Sequence, residues 1–177
     1  MISLRRTITW PKRRWRAGGF GIHSPFAYSF VTEVLSRGGA AGHEKLLDGL
    51  NGEDLHFASL LLRCIGYFKP ASIGIYSDAD GRLRHIIGSA QPDITIVGND
   101  STAVPDMTVF GATGGSMPGD NGSSVCITAR IDKEPSRSLW KRLTATCSRG
   151  MDFSDRRTGI ICRFSHLPRQ SFKIVIK

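Results

Sequence analysis

Short apolar runs that alternate with helical patterns, from residue 71 onward, most strongly constrain the fold of this chain. The run "ASIGIY" at 71–76 leads through the turn "DADG" into "RLRHIIGSA", which has a helical pattern. The segment "DITIVGND" at 93–100 repeats the arrangement of a buried strand followed by a polar turn. Strands that alternate with helices are typical of parallel sheets covered by helices. The sequence therefore predicts an α/β protein with a doubly wound, mostly parallel sheet.

Further strands are predicted towards the carboxyl terminus. They are "MTVFGA" at 107–112, "SSVCITARI" at 123–131, "TGIICRF" at 158–164 and the closing "SFKIVIK", with a helix around 135–147. In the closing segment Phe172, Ile174 and Ile176 alternate with polar positions, which is typical of a half-exposed edge strand. Because only "SHLPRQ" separates the last two strands, the sequence predicts that they form an antiparallel hairpin.

Two helices are predicted before the sheet. Ser24 suits a helix N-cap and Pro25 the first helical position, and apolar residues from Phe26 to Leu35 recur at helical spacing. A second helical pattern runs from about Glu53 to Phe68 and stops at Lys69-Pro70. We therefore expect a basic arm over 1–18 and one domain over 19–177, in which a helical lead-in (19–70) precedes a sheet core (71–177).

His23 stands one residue before this helix start and has two interpretations. A lone histidine beside a cap has no acid or nucleophile near it in sequence, which favours a structural role at the helix entry over general-base catalysis. No Ser-His-Asp, HExxH or Walker-type spacing occurs in the chain. The sequence therefore assigns no catalytic residue.

The positive charge is concentrated in the first 16 residues. This segment contains no acid and carries six of the nine net positive charges, at Arg5, Arg6, Lys12, Arg13, Arg14 and Arg16. Trp10 and Trp15 lie within it. Such a mixture is typical of segments that bind anionic lipid or stack on nucleic acid, and equally of a solvated arm whose tryptophans pack on the domain. Both interpretations stay open.

Composition excludes several other classes of protein. Hydrophobic residues make up 40% of the 177 positions, but the apolar runs are too short to span a bilayer. No signal peptide is predicted, because "GGFGIHSPF" follows the basic start where a continuous apolar stretch would be needed. The four cysteines form no CxxC pair. We therefore expect a cytoplasmic protein with buried free thiols and no metal site.

Three stretches of this chain resemble one protein family. They are "GIHSPF" at 21–26, "YFKP" at 67–70, and the closing Gly159-Ile160 through Phe164, Leu167, Pro168, Gln170 and Phe172. Together with a mostly parallel sheet that finishes in a reversed hairpin, they resemble the class I S-adenosylmethionine-dependent methyltransferases, in particular a bacterial group of such proteins. The resemblance implies a Rossmann-like fold and S-adenosylmethionine as the cofactor.

The resemblance also implies where the cofactor would bind. In the family an acid and a glycine-rich turn follow the first strand, an acid ends the second strand and binds the ribose, and a later strand often ends in aspartate. Here the corresponding acids are displaced or absent, and the third strand end reads Ala129-Arg130. The candidate cofactor-binding residues are Ser77, Asp78, Asp80, Gly81, Asn99 and Asp100.

Local structure provides an alternative role for these residues. Aspartates in turns after strands commonly cap helices and bond backbone, which is the favoured interpretation for Asp78, Asp80 and Asp100. The glycine-rich segment at 111–124 precedes a strand rather than a helix, so it predicts a loop and no phosphate cradle. Two functions stay open: a methyltransferase with weak or lost catalysis and an unknown acceptor, or a non-catalytic protein of that fold that binds an anionic surface, membrane or nucleic acid, through the arm.

Overall fold

A computed structural model describes residues 18–98, 103–113 and 122–177 of the chain. The helices are α1 (Pro25–Phe30), which continues into a π-helical turn (Val31–Leu35), α2 (Gly52–Phe68), α3 (Arg82–Ala90) and α4 (Ser136–Thr146). The strands are β1 (Ser72–Asp78), β2 (Thr95–Val97), β3 (Met107–Thr113), β4 (Val125–Thr128), β5 (Met151–Ser154), β6 (Gly159–Cys162) and β7 (Gln170–Lys173). A short 3-10 turn (Glu44–Leu47) precedes α2. The predicted α/β organisation is confirmed, although the described residues contain no helix between β2, β3 and β4.

The seven strands form a single sheet in the order β2-β1-β3-β4-β6-β5-β7. Strands β1 to β4 pair in parallel, whereas β6 is antiparallel to both of its neighbours, β4 and β5. The chain passes from β1 to β2 at one edge and then crosses back to place β3 on the other side of β1. The strand order therefore reverses between β1 and β3, which is where ligands commonly bind in open α/β sheets.

The predicted hairpin between the last two strands is wrong. β5, which the sequence pattern did not indicate, lies between β6 and β7. The antiparallel hairpin of the structure is β5–β6, and β7 pairs in parallel with β5, with Phe153 opposite Phe172. The segment between β6 and β7 is long enough for the chain to cross β5 and then run antiparallel to β6. The two strands therefore need not pair directly, although few residues separate them. β7 does occupy the sheet edge, as expected.

The start of α1 is confirmed in detail. Ser24 Oγ accepts a hydrogen bond from Ala27 N at 3.3 Å, and Pro25 occupies the first turn. Phe30 is fully buried, and its ring centroid lies 5.1 Å from those of Phe68 and Phe153. This side chain therefore joins α1 to α2 and to the sheet. His23 is exposed at the helix entry.

Helix α2 connects the core to the edge of the sheet at which the parallel strands end. It ends where expected, because Lys69 adopts a left-handed backbone (φ 48°) and Pro70 follows. Its buried face, with Leu60, Leu61 and Cys64, packs in the same core as α1. Its first turn lies at the carboxyl ends of the parallel strands.

Helices cover both faces of the sheet. α1 and α2 share a core cluster with Ile73, Val109 and Ile127, whereas Leu139 and Leu143 of α4 pack against the opposite face. All four cysteines are free and buried, as expected from the sequence. No helix in the described part of the chain has the length and apolar character needed to cross a membrane.

Candidate functional site

A cavity of about 420 Å³ lies at the carboxyl ends of β1, β3 and β4. Its walls come from these strand ends, from the first turns of α2 and α3, and from the turn that joins β5 to β6. Asp78, Ala112 and Ala129 mark the three strand ends. The cavity therefore lies where the strand order reverses, and its volume suits a small-molecule ligand.

The turn after β1 is built around the carboxylate of Asp78. Asp78 Oδ1 accepts a hydrogen bond from Leu83 N, and Oδ2 accepts one from Arg84 N, each at 3.0 Å. Ser77 is buried and has a left-handed backbone (φ 57°), and the pairing of β1 with β3 shifts register beside it. A side chain at Gly111 would collide with the Ser77 carbonyl. Asp78 therefore caps α3 and also lines the cavity.

Asp80 and Gly81 complete this turn. Asp80 Oδ1 accepts a hydrogen bond from Arg82 N at 3.2 Å, and Oδ2 lies 3.5 Å from Arg82 Nε. Gly81 has φ 68°, a conformation that glycine adopts without steric cost. Asp78 and Asp80 thus make the backbone contacts that the local interpretation predicted. Asn99 and Asp100, the other two candidates, lie outside the described residues, as does the basic arm up to residue 17.

The wall next to β4 carries a cluster of charges that the sequence analysis did not assign. Arg130, two residues after the end of β4, places Nη1 2.6 Å from Glu53 Oε2. Arg157, in the β5–β6 turn, places Nη1 2.5 Å from Glu53 Oε1. One glutamate in the first turn of α2 therefore holds two arginines from two other elements. We call Arg130 and Arg157 the arginine pair.

Local hydrogen bonds fix the backbone of the arginine pair. Asp155 Oδ1 accepts hydrogen bonds from Arg157 N and Thr158 N, both at 2.7 Å, which closes the β5–β6 turn. Ile131 N donates to the Arg157 carbonyl at 2.8 Å, so the two arginine-bearing segments lie side by side. Arg130 itself has a left-handed backbone (φ 56°). Non-glycine residues hold such a conformation only where the surrounding structure enforces it.

His56 lines the same cavity one turn along α2 from Glu53. Burial lowers the pKa of His56, the positive charges of Arg63 and Arg157 lower it further, and the carboxylate of Asp155 opposes them. The pKa of this side chain therefore lies below its ordinary value of 6.5, and the imidazole is predominantly neutral at pH 7. A neutral imidazole can accept a proton from a bound ligand.

The sequence contained only weak signals for these wall residues. Arg130 was visible as a basic residue where the family has an acid, but Glu53 and His56 looked like ordinary positions of an amphipathic helix. The spacing of Asp155, Arg157 and Thr158 is typical of an Asx turn, which carries no functional information by itself. Their convergence depends on contacts between segments far apart in the chain.

The described residues include no group of three or more histidine, cysteine, aspartate or glutamate side chains placed to hold a metal ion. The segment at 111–124 was predicted to be a loop; the structure continues β3 to Thr113, and residues 114–121 lie outside the described residues. In comparisons with known proteins, the chain matches no family model, no curated protein and no solved structure.

Proposed function

We propose that this chain is a Rossmann-like, class I methyltransferase-like protein that binds S-adenosylmethionine weakly in the cavity at the carboxyl ends of its strands. The observation that carries the proposal is the position of the cavity, beside the turn at 77–81 and at the reversal of strand order. Sheets of this kind bind ligands in that crevice.

The sheet order supports the same proposal. Four parallel strands are followed by a hairpin whose second strand, β6, inserts in the opposite sense between β4 and β5. The resemblance at "GIHSPF" and "YFKP" implies a mostly parallel sheet with a reversed strand near its end, and β6 is such a strand, although the final strand β7 runs parallel to β5. Methyl transfer depends mainly on in-line positioning of the two reactants, so the lack of an assigned general base does not argue against it.

Weak binding follows from the turn after β1. The oxygens of Asp78 already accept two backbone hydrogen bonds, and those of Asp80 contact Arg82. A ligand ammonium group would have to share or displace these partners. Ser77 also occupies a position at which the family has a glycine-rich turn that lets the backbone approach the cofactor closely.

Calorimetry with S-adenosylmethionine and S-adenosylhomocysteine tests this proposal. We expect a dissociation constant of about 0.1–1 mM, or roughly 4–5.5 kcal/mol of binding free energy. Ala112→Phe would fill the cavity from an exposed position and should abolish binding. Ala145→Phe, at an exposed position of α4 on the opposite face, is the matched control. Micromolar affinity would refute weak binding, and binding unaffected by Ala112→Phe would refute the site.

The basic arm supports a second candidate function, binding to an anionic surface. Six cations and no acid in residues 1–16 are attracted to any polyanion, and such binding weakens steeply with salt. Vesicle co-sedimentation and nucleic-acid gel shifts at low and high salt would compare the chain with a variant in which these six residues are glutamine. Equal binding by the two proteins would refute this candidate.

A further inference from the structure

The arginine pair has the geometry of a carboxylate-binding site. Two guanidinium groups from separate elements converge on one carboxylate, that of Glu53, at 2.6 and 2.5 Å. Guanidinium groups match the planar geometry of carboxylates and bind them with strong, directional hydrogen bonds. The backbone contact between Ile131 and Arg157 and the Asx turn at Asp155 hold the two arginine-bearing segments in place. Local hydrogen bonds therefore fix the backbone on which both arginines are carried.

Glu53 can be displaced from this site. Its side chain keeps 34% of its surface exposed, and those of Arg130 and Arg157 keep 28% and 56%. Water screens the contact with the half-exposed Arg157, so this ion pair contributes little net stability. Glu53 Oε2, which faces Arg130, is buried and makes no hydrogen bond with any described residue, so its contact with Arg130 is not optimal. Glu53 lies in the first turn of α2, directly after Gly52, which has φ 52°. A carboxylate that enters the cavity can therefore take the place of Glu53 at modest cost.

The rest of the cavity carries a net negative charge, which favours a ligand with a positive group even though each of its carboxylates already has a partner in the protein. Apart from Glu53 and the arginine pair, the lining carries four carboxylates and one guanidinium, at Asp54, Asp78, Asp80, Asp155 and Arg82. If a ligand carboxylate displaced Glu53, the cavity would contain a further negative charge. A cationic group on the same ligand would offset this charge.

We propose that Arg130 and Arg157 bind the carboxylate of a small zwitterionic ligand, and that Glu53 occupies this site in the free protein. The site lies at β4, two strands from β1, which is about 10 Å from the turn at 77–81. The arginine pair thus lies on the wall of the cavity opposite the turn at which we place the cofactor. That the ligand is the methyl acceptor rests on the proposed function, whereas carboxylate binding itself does not.

Three small probes test the chemistry of the site: 4-aminobutyrate, butyrate and butylamine. Binding to the full chain, followed by NMR titration, should be tightest for 4-aminobutyrate and weakest for butylamine. Glu53→Gln should strengthen binding of both carboxylates by about tenfold, because it removes the internal competitor, and should leave butylamine binding without gain. Arg157→Gln should weaken carboxylate binding by about tenfold or more. Arg142→Gln, at an exposed position of α4, is the matched control and should change nothing.

The direction of the Glu53→Gln effect decides between the two roles of this residue. A purely structural glutamate would give weaker or unchanged carboxylate binding when replaced, and that result would overturn the proposal. Carboxylate binding that survives Arg157→Gln would also overturn it. Circular dichroism would confirm that each variant folds, and Arg130→Lys offers a second variant that keeps the charge but loses the planar geometry.

Added S-adenosylmethionine separates this proposal from the proposed function. Carboxylate binding in a protein that does not bind S-adenosylmethionine would support the arginine-pair site and refute the proposed function. Unchanged carboxylate affinity in the presence of bound S-adenosylmethionine would support two separate sites. Competition between the two ligands would overturn the separate site, because the arginine pair would then hold the amino-acid end of the cofactor.

Discussion

Replacing Asp78 by alanine tests whether its main role is to cap α3. The carboxylate accepts hydrogen bonds from two backbone N–H groups of the first helical turn, Leu83 N and Arg84 N, both at 3.0 Å. Loss of a helix cap costs about 0.5–2 kcal/mol, and a negative charge at a helix N-terminus adds about 0.3–1 kcal/mol. Because Asp78 is half-buried, solvent screens part of this charge. We expect Asp78→Ala to lower the free energy of unfolding by about 1–2 kcal/mol in total.

Urea denaturation followed by circular dichroism measures this change. An unchanged slope with a lower midpoint would show that stability alone has changed. For a chain of this size the melting temperature should fall by roughly 2–8 °C. Asp93→Ala, at an exposed position after α3, is the matched control and should stay within about 0.5 kcal/mol of the wild type. If Asp78→Ala were as stable as this control, the capping argument would be refuted, and the carboxylate would be available mainly for a ligand.

Three further predictions concern the core, the cavity and the thiols. Phe30→Ala should lower the free energy of unfolding by about 3–5 kcal/mol in urea titrations, because the ring is fully buried, whereas Tyr28→Ala, on the exposed side of α1, should cost less than about 1 kcal/mol. Since the pKa of His56 lies below 6.5 in the folded protein, the unfolded state binds its proton first as the pH falls. The free energy of unfolding should therefore decline as the pH drops below about 6.5, and that of the His56→Gln variant should decline less. Burial raises the pKa of Cys64 to about 12, so a thiol reagent at pH 8 should leave it unmodified until denaturant is added; rapid reaction in the folded state would contradict its burial.

The elements with strong local signals were the ones that sequence could predict. Ser24-Pro25 marks the start of α1 and Lys69-Pro70 the end of α2, and both boundaries agree with the structure. The four parallel strands also follow from their apolar runs and from the turns between them. These signals depend only on neighbouring residues, and tertiary contacts did not override them.

The order of the last three strands could not be predicted for a physical reason. β5 contains only the four residues Met151–Ser154, all of them buried, and two of these are polar. Asp152 is buried because its carboxylate pairs with Arg169 and accepts a hydrogen bond from Ser171, each at 2.6 Å. Its residues alternate between apolar and polar, but four residues are too few to distinguish a strand from a turn, and the partners that allow Asp152 to be buried follow it in the chain. Without β5, the pairing of β6 with β7 looked like the simplest solution.

Contacts between distant segments also change the interpretation of the acids that are missing at the strand ends. The family pattern has an acid at the end of a strand where this chain has Ala129-Arg130, so the sequence suggested a loss of negative charge there. In the structure, Glu53 of α2 brings a carboxylate to that wall from a distant segment, and Arg130 and Arg157 neutralise it. A carboxylate is therefore present at the cavity wall, but it is bound to cations and cannot act as a free base or as a free anion. At this wall, two guanidinium groups hold an internal carboxylate that a ligand carboxylate can replace. Glu53→Gln, rather than any change at the strand ends, is therefore the substitution that tests what the cavity binds.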